Sequence, residues 1–597
     1  MLDKMKKPGP SQGDQIRELQ AGKQGTVAAE SWPQALRVPR AHVLVVAGAV
    51  VAAFALYVGV ELRRNGALGF PLDDPWIHLK FAQSLARGWG FAFNRGEPVA
   101  GSSAPGWTLI LAFFQLFQPS AAGMVWIAKL LGAGFLFLAG VFAGRILLLL
   151  TRNKWAGLAA GLALVLLSPL DWAMVSGMEV TLAVLLCLAG IYYFLRAAGL
   201  QERPSSIVAG LRPWILFALA VYARPEAFCL AGLAIADMIV CRLAFRQKAL
   251  FWRGLAVYLV LLVPYFALNL SLAHSLFPQT YVAKVGRTSL FAALASGNTA
   301  QVRLLLFNAP LIYFGGFVAH LWRANPVLVL LALSGIVTAA IQFARGWGSL
   351  LILLVALLYA PILGMVAPFV SPAFQNGRYL GAPVAAAVLL AVLGGWQLWS
   401  MAGRSRGVKT AVLVGLLALA GFNTVSTAIA NSANTAQAES SINRMQVAIG
   451  KWLNRNTPVD AVIACNDVGA IGYLADRRVL DVIGLVTPEV VDFRSKQRVG
   501  YENYGALDYL KKKKPDFLAI FPNWFPNLGQ AGFLTPVFAA DVADNQASEF
   551  DFKPQARSMA AILITGLTVE PVRSVMRVYR CDWTKADPGQ QGKAGPR

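Results

Sequence analysis

The chain has 597 residues, of which 57% are hydrophobic and only 14% charged, with a mean hydropathy of +0.55 and a formal net charge of +23. That usage excludes an ordinary soluble globular protein and points to a polytopic membrane protein. The charge does not imply nucleic acid: residues 41–438 carry 26 basic and nine acidic side chains while residues 439–597 carry 20 and 17, so the excess lies in the apolar part, where basic loops on one membrane face are expected, and no basic-aromatic tract stands out.

Residues 1–40 are polar, Gly- and Gln-rich and without apolar periodicity, which reads as a disordered cytoplasmic tail. Residues 41–60 form the first span. Its flank is basic and no small-residue cleavage site follows, so an uncleaved signal anchor with the N-terminus inside is expected. Ten further spans are expected at about 124–148, 155–170, 178–195, 211–223, 227–243, 254–272, 326–343, 349–368, 380–399 and 410–430. This puts Arg145, Arg152, Lys154, Arg196, Arg203, Arg212, Arg242, Arg246, Lys248, Arg253, Arg345, Arg404, Arg406 and Lys409 inside. The parity requires two other apolar stretches, 105–117 and 304–322, not to cross; both are interrupted or flanked by Pro, Gly or Asn, as re-entrant or interfacial helices are.

With that orientation Glu61, Asp73, Asp74, Glu97, Asp171, Glu179 and Glu226 face the outer side, leaving Glu202 inside and Asp237 within a helix. An ionisable group kept in such a chain costs several kcal/mol unless it is paired or functional, so the convergence of acids on one face marks the candidate site. After residue 430 the composition becomes soluble. Strand-like runs 461–465 and 517–521 alternate with helical runs 442–453 and 504–514, as in a small exported α/β domain. The fold class is therefore mainly α, with about eleven spans and a C-terminal α/β domain over residues 431–597.

Cysteines and histidines add little. Cys187, Cys229 and Cys241 lie in apolar helices as packing residues, and Cys465 and Cys581 form a candidate disulfide if their region is exported. His42, His78, His274 and His320 show no metal-ligand spacing.

The most informative segment is the first outer loop, residues 61–120. Asp73 and Asp74 precede Pro75 at a helix start, where exposed backbone N–H groups favour carboxylates, so a helix cap is one reading. The other is chemical. The following helix, with Trp76, Ile77, Leu79, Phe81, Leu85 and Trp89, is amphipathic enough to lie on the bilayer surface. Two carboxylates at that rim suit general-base catalysis on an acceptor hydroxyl, each tuning the pKa of its neighbour.

The run from Asp73-Asp74-Pro75-Trp76-Ile77 through Phe93-Asn94-Arg95-Gly96-Glu97 to Ser103-Ala104-Pro105-Gly106-Trp107 resembles the first-loop signature of GT-C-fold membrane glycosyltransferases. It is similar to the terminal arabinofuranosyltransferases of actinobacterial cell walls and, more distantly, to the protein O-mannosyltransferases. Ser176-Gly177-Met178-Glu179, Ala223-Arg224-Pro225-Glu226, Phe277 to Lys284, Gly377-Arg378-Tyr379-Leu380 and Asn466 to Tyr473 follow in matching order. Two departures are Pro75, where the family often has an aromatic or small residue, and Pro278-Gln279-Thr280 in place of Pro-Asn-Thr.

The resemblance implies a GT-C-like catalytic domain over residues 41–430 and a sugar donor carried on a polyprenyl phosphate. The acceptor would be an envelope glycan, lipid or protein outside the cell membrane, with Asp73 or Asp74 as catalytic base. No cofactor is implied with certainty, and a divalent cation stays open. Glu97, Glu179, Arg224, Glu226, Lys284 and Arg378 are the candidate substrate-binding residues. Glu179 suits a sugar hydroxyl, a metal or its own helix dipole; Arg224 and Glu226 suit a phosphate clamp or a turn salt bridge. Lys284 and Arg378 are outer-side cations against the positive-inside bias, as a phosphate leaving group or headgroup anchoring would require. Lys511–Lys514 reads as a solvated helix end and the Asn466-Asp467 pair before Gly469 as a strand-end turn. The rival class, a transporter or flippase of lipid-linked sugars, would carry repeated halves and mid-membrane charges.

Overall fold

A computed structural model describes residues 38–197, 207–241, 248–344, 349–368, 372–401, 406–496, 506–525, 528, 531–541 and 575–586. The first 37 residues of the expected tail, and Arg203, Arg242, Arg246, Arg345 and Arg404, lie outside them. Most of the described residues are helical. Among the described residues eight helices are long and apolar enough to cross a membrane, or nine if the pair Lys154–Val165 and Ser168–Val175, bent by 58°, is one span. Gly210–Ala223 and Leu351–Val366 are shorter apolar helices.

Two expected segments come out differently. The span expected at 227–243 is a helix of only 13 residues, Phe228–Val240, about 20 Å long and short of a hydrocarbon core of about 30 Å. The stretch 304–322, expected not to cross, belongs to a helical run over Thr299–Ala324 that is long and apolar enough to do so. Its contacts nevertheless hold it beside the segment that carries Arg378: Gly316 packs on Pro372, His320 on Gly377, and the Tyr313 hydroxyl donates to the Ala367 carbonyl. Asp237 has a local task, since its carboxylate accepts from Ser349 Oγ and the Leu350 amide and so caps the start of Leu351–Val366.

The first loop, residues 61–120, carries a two-stranded hairpin, β1 (Ala92–Asn94) and β2 (Glu97–Pro98). Among the described residues the C-terminal region forms a five-stranded mixed sheet from β3 (Val462–Cys465), β4 (Arg478–Asp481), β5 (Phe517–Ile520), β6 (Leu534–Asp541) and β7 (Val575–Cys581), in the order β4-β3-β5-β7-β6. β3 runs parallel to β4 and β5, and β7 antiparallel to β5 and β6. Strands β3 and β5 fall on the two runs anticipated from sequence. Cys465 and Cys581 are both free. They end strands separated by β5, about 10 Å apart at strand spacing, which is beyond disulfide reach.

The helix Arg406–Ile442 continues through a wider turn, Asn443–Val447, into Ala448–Asn456, and so joins the membrane part to the sheet region. A buried charge triad fixes the joint: Lys129 Nζ lies 2.7 Å from both Glu61 and Glu439, and all three side chains are at most 2% exposed. Glu61 also accepts the Gly69 amide. The start of the chain's first loop is thereby fixed just ahead of Asp73.

Candidate active site

The helix Asp74–Ala86 positions the site, and it does not lie on a bilayer surface. Both of its faces are buried: Ile77 and Phe81 pack into the core that the first loop shares with the C-terminal sheet, while Trp76, Leu79 and Ala82 join the cluster around Trp107. Lys80 is covered as well and pairs with Asp476 at 3.6 Å. The sequence pattern anticipated one apolar face, and the structure buries the opposite face as well. What covers them is protein, because the C-terminal region folds back over the loop.

The two adjacent aspartates part company here. Asp73 stands at the N-cap position, yet its side chain makes no bond to its own helix. Its two carboxylate oxygens accept from the amides of Gly469 (2.6 Å) and Ala470 (2.8 Å), at the start of the helix Gly469–Ala475. Gly469 is required, since a Cβ there would collide with Asp73. Burial and the nearby charge of Asp467 push Asp73 above the usual carboxylate range, against the pull of the two amides.

Asp74, the next residue, turns the other way and lines a cavity of about 490 Å³. Its Oδ1 lies 3.3 Å from Arg378 Nη2 and 4.0 Å from Lys284 Nζ. Burial raises its pKa, but Arg378 and then Lys284 outweigh it and hold the carboxylate well below the usual range.

Around the same cavity Arg224 reaches Glu179 at 2.6 Å and Glu226 at 3.1 Å. The turn salt bridge is therefore present, and Glu179 joins it from the neighbouring segment. The guanidiniums of Arg224 and Arg378 lie over the Tyr379 ring, 4.7 Å and 5.0 Å from its centroid. Arg378 is 3% exposed, and only its Nη2 is engaged, on Asp74 and on the Tyr379 hydroxyl. Its Nε and Nη1 meet no partner among the described residues, and neither does Oε2 of Glu179 as a hydrogen-bond acceptor. Buried groups of this kind are costly unless something supplies the missing bonds. Away from the charged end the walls are apolar and aromatic, including Phe228, Phe266, Phe277, Tyr281 and Val366.

Five of the six anticipated substrate-binding residues thus line the cavity with Asp74: Glu179, Arg224, Glu226, Lys284 and Arg378. Glu97 does not. It pairs with Arg478 at 2.6 Å and accepts from Asn94, so it joins the hairpin to β4. Sequence reasoning missed His78, which lines the cavity with Nδ1 2.9 Å from Ser102 Oγ and Nε2 3.4 Å from Glu179 Oε2. Burial pulls it below the usual histidine range against the charges of Glu179 and Asp74. Its spacing of four from Asp74 on one helix was the available signal.

Asp467 was also missed as a charge. It is held by Gln446 and Asn466, and burial, with Asp74 and Asp481 nearby, pushes it up to about 6. Asp481 gathers the amides of Ile483, Leu485 and Val486 around its carboxylate, and this loop brings Leu485 to the cavity wall. Gln279 accounts for one departure from the resemblance: its amide side chain donates to the Gly484 carbonyl of that loop. Among the described residues no three or more His, Cys, Asp and Glu side chains are grouped to hold a metal ion.

Residues 434–570 match a family model described as a domain of unknown function (DUF8728). No curated protein matches the sequence. Solved structures do match over most of its length. The archaeal oligosaccharyltransferase AglB from Archaeoglobus fulgidus, in complex with an inhibitory peptide and a dolichol-phosphate, is similar with a TM-score of 0.55 at 12% identity, over 82% of this chain and 72% of its own. ArnT from Cupriavidus metallidurans in the apo state is similar with a TM-score of 0.50 at 13% identity, over 91% of this chain and 99% of its own. At such identity the likeness is one of fold, and the fold is GT-C.

Proposed function

We propose that this chain is a membrane glycosyltransferase that transfers a sugar from a polyprenyl-phosphate donor to an envelope glycan, lipid or protein acceptor on the outer side of the cell membrane. The observation that carries the reading is Arg378, a guanidinium 3% exposed with two nitrogens, Nε and Nη1, unmatched among the described residues, set at the charged end of a cavity whose other walls are apolar and aromatic. An amphiphile with one anionic phosphate and an isoprenoid tail answers both halves. A dolichol-phosphate accompanies the fold neighbour AglB.

In this reading an Asp74 oxygen takes the proton of the acceptor hydroxyl as the hydroxyl oxygen bonds to the anomeric carbon. The bond from that carbon to the phosphate oxygen breaks, and its electron pair leaves with the polyprenyl phosphate. Arg378, Lys284 and Arg224 offset the charge that develops there, where fixed cations in a poorly hydrated site act most strongly. Glu179, whose Oε2 accepts no hydrogen bond among the described residues, would hold a sugar hydroxyl. Asp73, fastened to the C-terminal region, aligns the helix that carries Asp74. The likeness of the first-loop motifs to terminal arabinofuranosyltransferases makes an arabinofuranosyl donor and a cell-wall acceptor the first pair to assay.

The test is release of free polyprenyl phosphate from a lipid-linked sugar by purified protein with envelope glycan acceptors. Arg378→Gln and Lys284→Gln should lower turnover more than they weaken donor binding. If wild-type protein moves the lipid-linked sugar across vesicles and never releases polyprenyl phosphate, the transferase reading gives way to a flippase.

A further inference from the structure

Arg378 leaves an unusual piece of backbone. The three residues before it are all left-handed: Gln375 at φ 49°, Asn376 at φ 54° and Gly377 at φ 67°. For a residue with a Cβ that region is disfavoured by roughly tenfold, less for Asn, and such residues occur singly rather than in runs. A run of three persists only where its surroundings impose it.

The surroundings that impose this one are identifiable. Gly377 lies against the His320 ring, where a Cβ would collide. Asn376 Nδ2 donates to Asn431 Oδ1 at 3.1 Å, and Asn431 Nδ2 donates to the Ser168 carbonyl at 3.0 Å. The turn is therefore fastened to the helices Arg406–Ile442 and Ser168–Val175, and neither asparagine lines the cavity. Immediately after it the Arg378 guanidinium stands buried on Asp74 and Tyr379 with its unmatched donors. Any other backbone at 376 would start the Arg378 side chain in another direction. A long flexible side chain then has to find the site instead of being delivered to it.

We propose that Asn376 and Asn431 are positioning residues for the transfer, holding the left-handed turn that sets the Arg378 guanidinium where the leaving phosphate gains charge. The proposal rests on the phosphate-binding role of Arg378 given above. Displacement of a group by about 1 Å at such a place costs on the order of 100-fold in rate, so a turn remote from the substrate can control turnover.

The experiment compares Asn376→Gly, Asn376→Ala, Asn431→Ala and Arg378→Gln as purified full-length protein. Three quantities are read: turnover by polyprenyl phosphate release, affinity for polyprenyl phosphate itself, and the thermal midpoint. Glycine adopts the left-handed turn freely and alanine does not. Asn376→Ala is thus expected to lose roughly 10- to 100-fold in turnover and to bind polyprenyl phosphate more weakly, Asn376→Gly to recover most of both, and Asn431→Ala to fall between. Equal turnover in Asn376→Gly and Asn376→Ala, or losses that only track the folded fraction at each thermal midpoint, would overturn it. Arg378→Gln separates the two readings. If it alone is impaired, the turn proposal falls and the phosphate role stands; if it matches wild type in turnover and in polyprenyl phosphate affinity, the phosphate role itself fails.

Discussion

Replacing each of the paired aspartates by asparagine should give two different defects. Asp74→Asn removes the only first-loop carboxylate that faces the cavity, and loss of a general base costs about 100- to 10,000-fold, or roughly 3–5 kcal/mol of barrier. Its effect on folding should be small. The side chain is 29% exposed, asparagine keeps one acceptor for the buried Arg378 Nη2 at 3.3 Å, and the pair with Lys284 at 4.0 Å is partly exposed on both sides. Asp73→Asn should do the reverse. Two amide bonds of 2.6 and 2.8 Å end on its charge, each worth about 1.5–3 kcal/mol. The amide group of asparagine would face one of those N–H donors, so the contact with the C-terminal region should weaken by about 3 kcal/mol while folded protein turns over near the wild-type rate. The assay is kcat in detergent with a polyprenyl-phosphate sugar, beside thermal unfolding followed by tryptophan fluorescence, since Trp76 packs on Tyr473 across this contact. The pH profile adds a check. With Asp74 held ionised well below the usual range, activity should persist on the acid side until far below pH 6, and a loss of kcat centred near 6 would instead indict Asp467. Asp73→Asn losing as much turnover as Asp74→Asn at an unchanged midpoint would refute the division of roles.

Lys129→Met should destabilise the protein by about 3–5 kcal/mol because it strands two buried carboxylates, whereas adding Glu61→Gln and Glu439→Gln should restore much of the loss; a single variant that melts like wild type would contradict the triad's role. Asp467, raised from its usual value to about 6, holds a proton in the native state that the unfolded chain has already released. The stability it contributes is therefore greatest below about pH 4 and falls as pH rises to 6, a slope that Asp467→Asn should abolish in melts recorded across that window. For topology, cysteines placed at Arg95 and Lys512, both exposed, should label from outside intact cells, and one at the exposed Lys154 only after the membrane is opened. Labelling of position 512 only after opening would place the sheet region on the wrong side for the proposed chemistry.

Much of the site was legible because of a single physical constraint. In an apolar chain each retained charge needs a partner or a task, so Asp74, Glu179, Arg224, Glu226, Lys284 and Arg378 could be singled out one by one, and the fold gathers them although 304 residues separate Asp74 from Arg378. The constraint names the participants but not their pairings. Glu97 met the same criterion and is taken up by Arg478 of β4 instead. The amphipathic pattern of 74–86 likewise says that a face is buried without saying whether lipid or protein covers it. Cys465 and Cys581 were candidates until the strand order put β5 between their strands.

The division between Asp73 and Asp74 was the least legible feature, and the reason is geometric. Successive residues of a helix project about 100° apart, so two adjacent carboxylates at a helix start are aimed in different directions. The local rule that acids favour helix N-termini is obeyed here at a distance: Asp73 caps not its own helix but one that begins 396 residues later. That contact exists only because the C-terminal region folds back over the first loop. Once Asp73 is fastened there, the rotation of the helix is fixed and Asp74 is turned toward Arg378 and Lys284. The acid fastened away from the cavity therefore determines where the one lining it points.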